Sequence, residues 1–290
     1  RARLGLHALV RFDSVAPPED GERRLYESLA LLLEHSRDAL QRLLTDQEAQ
    51  REARKRSALR LIAELLIDCA ACRRSVASEK TVEQQAINQL RDAVRQREQR
   101  CVEALLKLYG FRSNDAAASD LPLLDGRWGN DLFNPETLKQ LGVRVGGRFA
   151  AGAAAGAGVD LLVGGLTLGA AALAGAIAGG ALQTARSYGS RLLGKIKGQR
   201  ELTVDDSVLR LLALRQRQLV QALNLRGHAA MDSIQVATPQ DKTWREGKLP
   251  EALNKARAHP QWSSLNPHAK LSQAERQEQI EALAEKALNP

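Results

Sequence analysis

Residues 59–108, LRLIAELLIDCAACRRSVASEKTVEQQAINQLRDAVRQREQRCVEALLKL, decide the fold. Leu59, Ile62, Leu66, Cys69 and Val76 recur with the three-and-four spacing of a heptad. After a break at Ala77-Ser78, Ile87, Leu90, Val94, Cys101, Ala104 and Leu108 repeat that spacing, with Arg97 interrupting the seam. Apolar residues at this period line one face of a helix. Two such helices joined by a short turn predict an antiparallel, coiled-coil-like hairpin. At about 1.5 Å per residue, a helix of about 30 residues is about 45 Å long, the dimension of a stalk.

Composition agrees with helices. The chain has 290 residues, enough for one or two domains, and only 3% aromatics, so its core is built from Leu, Ala, Val and Ile. Its 42 basic residues are interleaved with 34 acidic ones, leaving a formal charge of +8. Mixed charge with few aromatics marks solvated helix faces and argues against nucleic acid as a partner. Three cysteines do not make a disulfide framework. Cys69 and Cys72 form a CAAC motif inside a helix, without the strand before it that a redox motif needs, and Cys101 stands alone, so all three read as small buried hydrophobes.

Working outward, Leu25, Leu29, Leu32, Leu33, Leu40, Leu43 and Leu44 continue the helical period on the N-terminal side. Residues 45–58 lose their large apolar side chains and predict an exposed helix, on which Arg51, Arg54, Lys55 and Arg56 face solvent or anionic headgroups. Earlier still, Leu4–Phe12 reads as a lone strand before Pro17 and Pro18. A strand alone leaves both edges unpaired, so its partners are expected outside this chain. On the C-terminal side, residues 110–134 read as a loop anchored by Trp128 and Phe133. Asn134 caps a short helix with Pro135 in its first turn, and Gly142 ends it. Thr203 is the expected cap of a helix running to Gly227. The remaining tail carries two short helices, with Trp244, Trp262, Leu249 and Leu253 as anchors and a terminal helix expected to be mobile.

Between them lies a run of a different kind. Between Arg148 and Arg186 the sole charged residue is Asp160, and Ala and Gly dominate. Gly152 and Gly156, Gly165 and Gly169, and Gly175 and Gly179 each form a GxxxG pair, the spacing that lets helix backbones approach closely. Three arrangements compete: a single membrane span over Leu161–Leu182, a re-entrant hairpin turning at Val163–Thr167 around Gly164-Gly165, and a hairpin buried in protein. Leu161 and Leu162 open the apolar core of the run. Arg144 and Arg148 on one flank and Arg186, Arg191, Lys195 and Lys197 on the other suit a hairpin with both ends on one side of a membrane. Asp160 beside the turn also favours a hairpin over deep burial in lipid.

The stretches ARLGLHALVRFDSVAPPEDGERRLYESLALLL, LLDGRWGNDLFNPETLKQLGV, GVDLLVGGLTLGAAALAGAIAGG and ELTVDDSVLRLLALRQ resemble the C-terminal domain of unknown function of a bacterial family whose members carry an N-terminal P-loop GTPase domain of the Era/TrmE type. The resemblance implies that Leu4–Asp13 is the last strand of that GTPase domain, with GTP and Mg bound by the missing domain only. This chain has no GxxxxGK[ST] and no guanine-reading Asn-Lys-x-Asp, so it takes over no nucleotide-site residue. Its five histidines are scattered, which speaks against a metal or catalytic site.

The expected fold is therefore all-α: a long antiparallel helical stalk plus a Gly/Ala-rich helical hairpin, with one orphan N-terminal strand. Residues 1–18 are the GTPase remnant. Residues 19–227 form the helical domain, with the stalk at 19–109, the packed loop at 110–142 and the glycine-zipper hairpin at 143–200. Residues 228–290 are linker and C-terminal helices. The expected role is a non-catalytic effector or membrane-docking module coupling a nucleotide switch to the hairpin. The alternative is a soluble scaffold or oligomerisation module with the hairpin buried. Expected partners are a GTPase domain, a membrane surface or integral membrane protein, and a second copy. The expected place is the bacterial cytoplasm, at the inner membrane.

Overall fold

A computed structural model describes residues 21–77, 79–111, 123, 127–140, 142–143, 159–162, 199–225 and 244–288. The chain is mostly helical, as its periodicity implies. In order the elements are α1 (Gly21–Leu32), α2 (Arg37–Ala71), β1 (Arg73–Ala77), α3 (Lys80–Leu108), α4 (Pro135–Gln140), β2 (Val159–Leu162), β3 (Gln199–Val204), α5 (Asp206–Leu225), α6 (Glu251–Ala258) and α7 (Ala274–Leu283). The orphan strand expected at Leu4–Asp13 lies outside the described residues.

Helix ends follow local chemistry. α3 stops where Gly110 adopts φ +79°; its N–H and that of Phe111 bond back to the carbonyls of Lys107 and Leu106. Gly142, at φ +65°, closes α4 in the same way, with Val143 bonded to Leu138 and both side chains buried. A positive φ is the left-handed position that glycine occupies without a Cβ penalty. Asn134 caps α4 as its sequence predicts, its Oδ1 accepting from the Glu136 N–H at 3.0 Å.

The described chain divides into two compact units. The first comprises residues 1–58, 103–127 and 218–236. Within it Leu105, Leu106, Leu219, Ala222 and Leu223 are buried, Tyr109 donates to Asn224 Oδ1 at 2.8 Å, and Arg54 lies over the Tyr109 ring at 5.6 Å. Among its described side chains α1 buries Ala30 and leaves Leu31 and Leu32 exposed, as is Leu33 just beyond it.

The second unit comprises residues 59–102, 128–217 and 237–290. Here the segments of α2 and α3 run antiparallel: Cys101 Sγ contacts the Leu61 carbonyl at 3.7 Å, and Arg97 meets Asp68 at 2.6 Å. Leu59, Ile62, Leu66, Cys69, Ile87, Leu90, Val94 and Cys101 of the heptad seam are buried. Trp244, Trp262, Leu249 and Leu253 are buried too, so they anchor the tail as expected. The terminal helix is not loose: Arg276, Ile280 and Leu283 of α7 are buried.

Strands are where the structure departs from expectation. The chain contains a sheet of order β1-β3-β2, antiparallel throughout, where helix was expected. Val76 belongs to β1, opposite Arg200, and not to the helical seam. A single buried residue satisfies a period of 3.5 or of 2 equally well, and pairing with the distant β3 decides between them. Thr203 likewise sits in β3, opposite Arg73. The helix cap moves to Asp205, whose Oδ1 accepts from the Ser207 N–H at 2.7 Å and from the Ser207 hydroxyl.

Candidate functional site

β2 and β3 flank residues 163–198, which carry the larger part of the glycine-rich run. Val159 pairs with Val204, Asp160 with Thr203, Leu161 with Leu202, and Leu162 with Glu201. Residues 163–198 are therefore flanked by two adjacent antiparallel strands, β2 and β3, a two-strand neck. Of the candidate residues, Leu161 and Leu162 lie in β2. Gly152, Gly156, Gly164, Gly165, Gly169, Gly175 and Gly179, and the basic residues Arg144, Arg148, Arg186, Arg191, Lys195 and Lys197, lie outside the described residues.

This neck revises the expected hairpin at 143–200. β2 divides the run, so the pair Gly152–Gly156 precedes the neck while Gly165–Gly169 and Gly175–Gly179 follow it. A helical hairpin turning at Val163–Thr167 needs residues before Val163 as its first arm, and Val159–Leu162 are a strand. A span over Leu161–Leu182 likewise has its first two residues in the sheet. Asp160, expected beside a turn, is a strand residue opposite Thr203.

The central strand is held from several sides. Leu202 and Val204 are buried. Arg200 meets Glu83 of α3 at 2.8 Å. Arg73 of β1 reaches Glu201 at 3.4 Å and donates to the carbonyl of Arg257 at 2.7 Å. Arg257 in turn donates to the Val204 carbonyl at 3.0 Å and to Asp206 at 2.5 Å. On its outer side, the Arg73 N–H donates to Asn266 Oδ1 at 3.1 Å.

The second unit also holds two buried polar clusters. Asp68 is 2% exposed. Its carboxylate takes Arg97 at 2.6 Å, Arg276 at 3.2 Å, the Ser264 N–H at 3.0 Å and the Ser264 hydroxyl at 2.9 Å. The Ser263 hydroxyl donates to the Asp68 carbonyl at 2.7 Å. Four donors thus fill the acceptor positions of this buried carboxylate. In the second cluster Glu98 faces Arg215 at 3.5 Å and Gln216 at 3.4 Å. Arg215 also donates to the Asn130 carbonyl at 2.7 Å and lies over the Trp128 ring at 5.2 Å. Burial pushes the Glu98 carboxyl up to about 6, against the opposing pull of Arg215.

The thiols are built for packing. Burial pushes Cys72 up to about 11 and Cys101 up to about 12, and holds Cys69 well above its ordinary value. A thiol kept protonated is a poor nucleophile and a poor ligand. Among the described residues no group of three His, Cys, Asp or Glu side chains is placed to hold a metal ion. Sequence reasoning singled out neither Asp68 nor Asn266. The signal for Asp68 was a lone acid between Ile67 and Cys69 in an apolar stripe, facing the Arg97 that interrupts the opposite stripe. Asn266 left no signal, because its role is made by chain distant in sequence.

A family model described as "Domain of unknown function (DUF3482)" matches residues 1–285. No curated protein and no solved structure matches the chain. Among the described residues no helix is long and apolar enough to cross a membrane.

Proposed function

The chain belongs to the DUF3482 family, and from its own geometry we propose that it is a non-catalytic helical module that docks on a membrane through the segment 163–198. The observation that carries this is the antiparallel pairing of Leu162 with Glu201. Both ends of the segment leave the body at one place, so it enters and exits a bilayer on the same side. Residues 163–185 hold no charged side chain. Folded in half as helices they reach about 17 Å, short of a hydrocarbon core of about 30 Å. The segment thus dips into one leaflet. Gly165, Gly169, Gly175 and Gly179 let its arms approach closely. Arg186, Arg191, Lys195 and Lys197, on the return path, meet anionic headgroups, each worth about 1 kcal/mol near the surface.

The resemblance to GTPase-bearing proteins adds a switch: a GTPase domain attached to this module would control the docking. A GTP-binding motif encoded upstream of Arg1 supports that half, and a start codon there removes it.

Sedimentation with vesicles tests the docking. The chain is expected to pellet with vesicles containing phosphatidylglycerol, and less with phosphatidylcholine alone. Leu173→Arg, and separately the pair Lys195→Glu and Lys197→Glu, should cut the pelleted fraction severalfold. Failure to pellet with either vesicle removes the membrane reading. A detergent-free oligomer that Gly169→Leu dissociates would then establish the alternative, a scaffold with the hairpin buried in protein.

A further inference from the structure

The C-terminal segment 244–288 touches α2, β1, β3 and α5. Arg210 of α5 donates to the carbonyls of Trp244 at 3.0 Å and Gly247 at 2.6 Å. Arg257 of α6 bridges the end of β3 and the start of α5 through Val204 and Asp206. The turn after α6 covers the outer edge of β1: Asn266 accepts from the Arg73 N–H and donates to the Ala71 carbonyl at 3.2 Å, and Arg74 donates to the Leu265 carbonyl at 3.3 Å. An uncovered edge strand is weakly held and open to wrong pairing, so this cover matters to a sheet with three strands among the described residues.

We infer that residues 244–288 are a strap that fixes the neck, and that Asp68 is its fastening point. The Asp68 carboxylate binds the strap twice, through Ser264 in the turn that covers β1 and through Arg276 of α7. Arg276 also donates to the Trp262 carbonyl at 2.9 Å, so one carboxylate orders both the turn and the helix beyond it. Arg97 supplies the second positive charge from α3. Asp68 is thus a positioning residue: it acts on β1 and β3 through the strap. Loosening the strap uncovers β1 and frees the Arg257 bridge at the end of β3, so β1 and the β3 strand of the neck loosen together. The consequence for docking rests on the membrane reading above; the coupling of strap to neck does not.

Hydrogen exchange of the full chain without lipid tests the coupling alone, so its failure is distinct from a failure to bind vesicles. In Asp68→Asn, exchange is expected to rise about tenfold or more in 244–288 and together with it in 73–77 and 199–204. Asn266→Ala should raise exchange in 73–77 and 199–204 by a smaller factor, and it decides the matter by itself if Asp68→Asn does not fold. Arg60→Ala, which removes the exposed ties of α2 to Gln277 and Glu281 of the strap together with an i,i+4 pair to Glu64, should leave 199–204 unchanged. The inference is overturned if the strap stays protected in the variants, or if it opens while 73–77 and 199–204 keep the protection of the parent chain.

Discussion

Asp68 and Arg97 show how a residue that spoils a pattern can be the one that sets the packing. Arg97 reads as a flaw in an apolar seam, yet it faces a carboxylate that is 2% exposed. Removing one partner of a buried pair leaves an uncompensated charge, at a cost of about 3–5 kcal/mol. Arg97→Ala is expected to lose stability on that scale in urea denaturation, softened by the remaining Arg276. Arg60→Ala, at an exposed pair with Glu281, should change stability by less than about 1 kcal/mol. Glu98 sets a pH dependence. Burial raises its pKa from 4.5 to about 6 in the folded chain, so the folded state holds the proton more tightly than the unfolded one. Its contribution is fully present below pH 4.5 and is lost as pH rises to about 6, a change of about 2 kcal/mol. Comparing denaturation midpoints across that window, Glu98→Gln should flatten this part of the profile.

At the scale of elements, sequence signals mark helix ends well when the capping chemistry is local. Asn134, Gly110 and Gly142 act where their types predict. At Gly142 a Cβ would meet nothing closer than the Arg245 side chain at 3.6 Å, so the cost of Gly142→Ala is conformational: about 1 kcal/mol, read by chemical denaturation. Thr203 and Asp205 are two residues apart and both fit a cap. The sheet takes Thr203, so Asp205 bonds the first turn of α5. Asp205→Ala should cost about 1 kcal/mol by loss of the cap. Leu202→Pro, in the central strand, removes a ladder donor and is expected to abolish exchange protection in 73–77 as well as its own strand.

At the scale of the whole molecule, the described residues of the two units differ in what they leave exposed. The described part of the first exposes Leu31, Leu32, Leu33 and Leu43, whereas the second holds all three cysteines in its interior. Thiol labelling therefore reports on the second unit. Cys69, Cys72 and Cys101 should be unreactive to iodoacetamide at neutral pH in the folded chain, and should react together as that unit unfolds. Labelling of any one of them at the rate of a free thiol under native conditions would contradict their burial.

Periodicity and capping by themselves determined that α2 and α3 are long helices, where α4 begins and ends, and that the cysteines pack as hydrophobes. These depend on residues within a turn or two of one another, so the chain carries the information locally. Only tertiary structure decided the sheet. β1, β2 and β3 are short, and each stabilises the others through partners far away in sequence. No local pattern in Arg73–Ala77 or Val159–Leu162 outweighs the helical reading of its neighbours. The strap follows the same logic. Asp68 selects Ser264 and Arg276 from the far end of the chain because a buried carboxylate must have its acceptor sites filled, and only the folded body brings those donors to it.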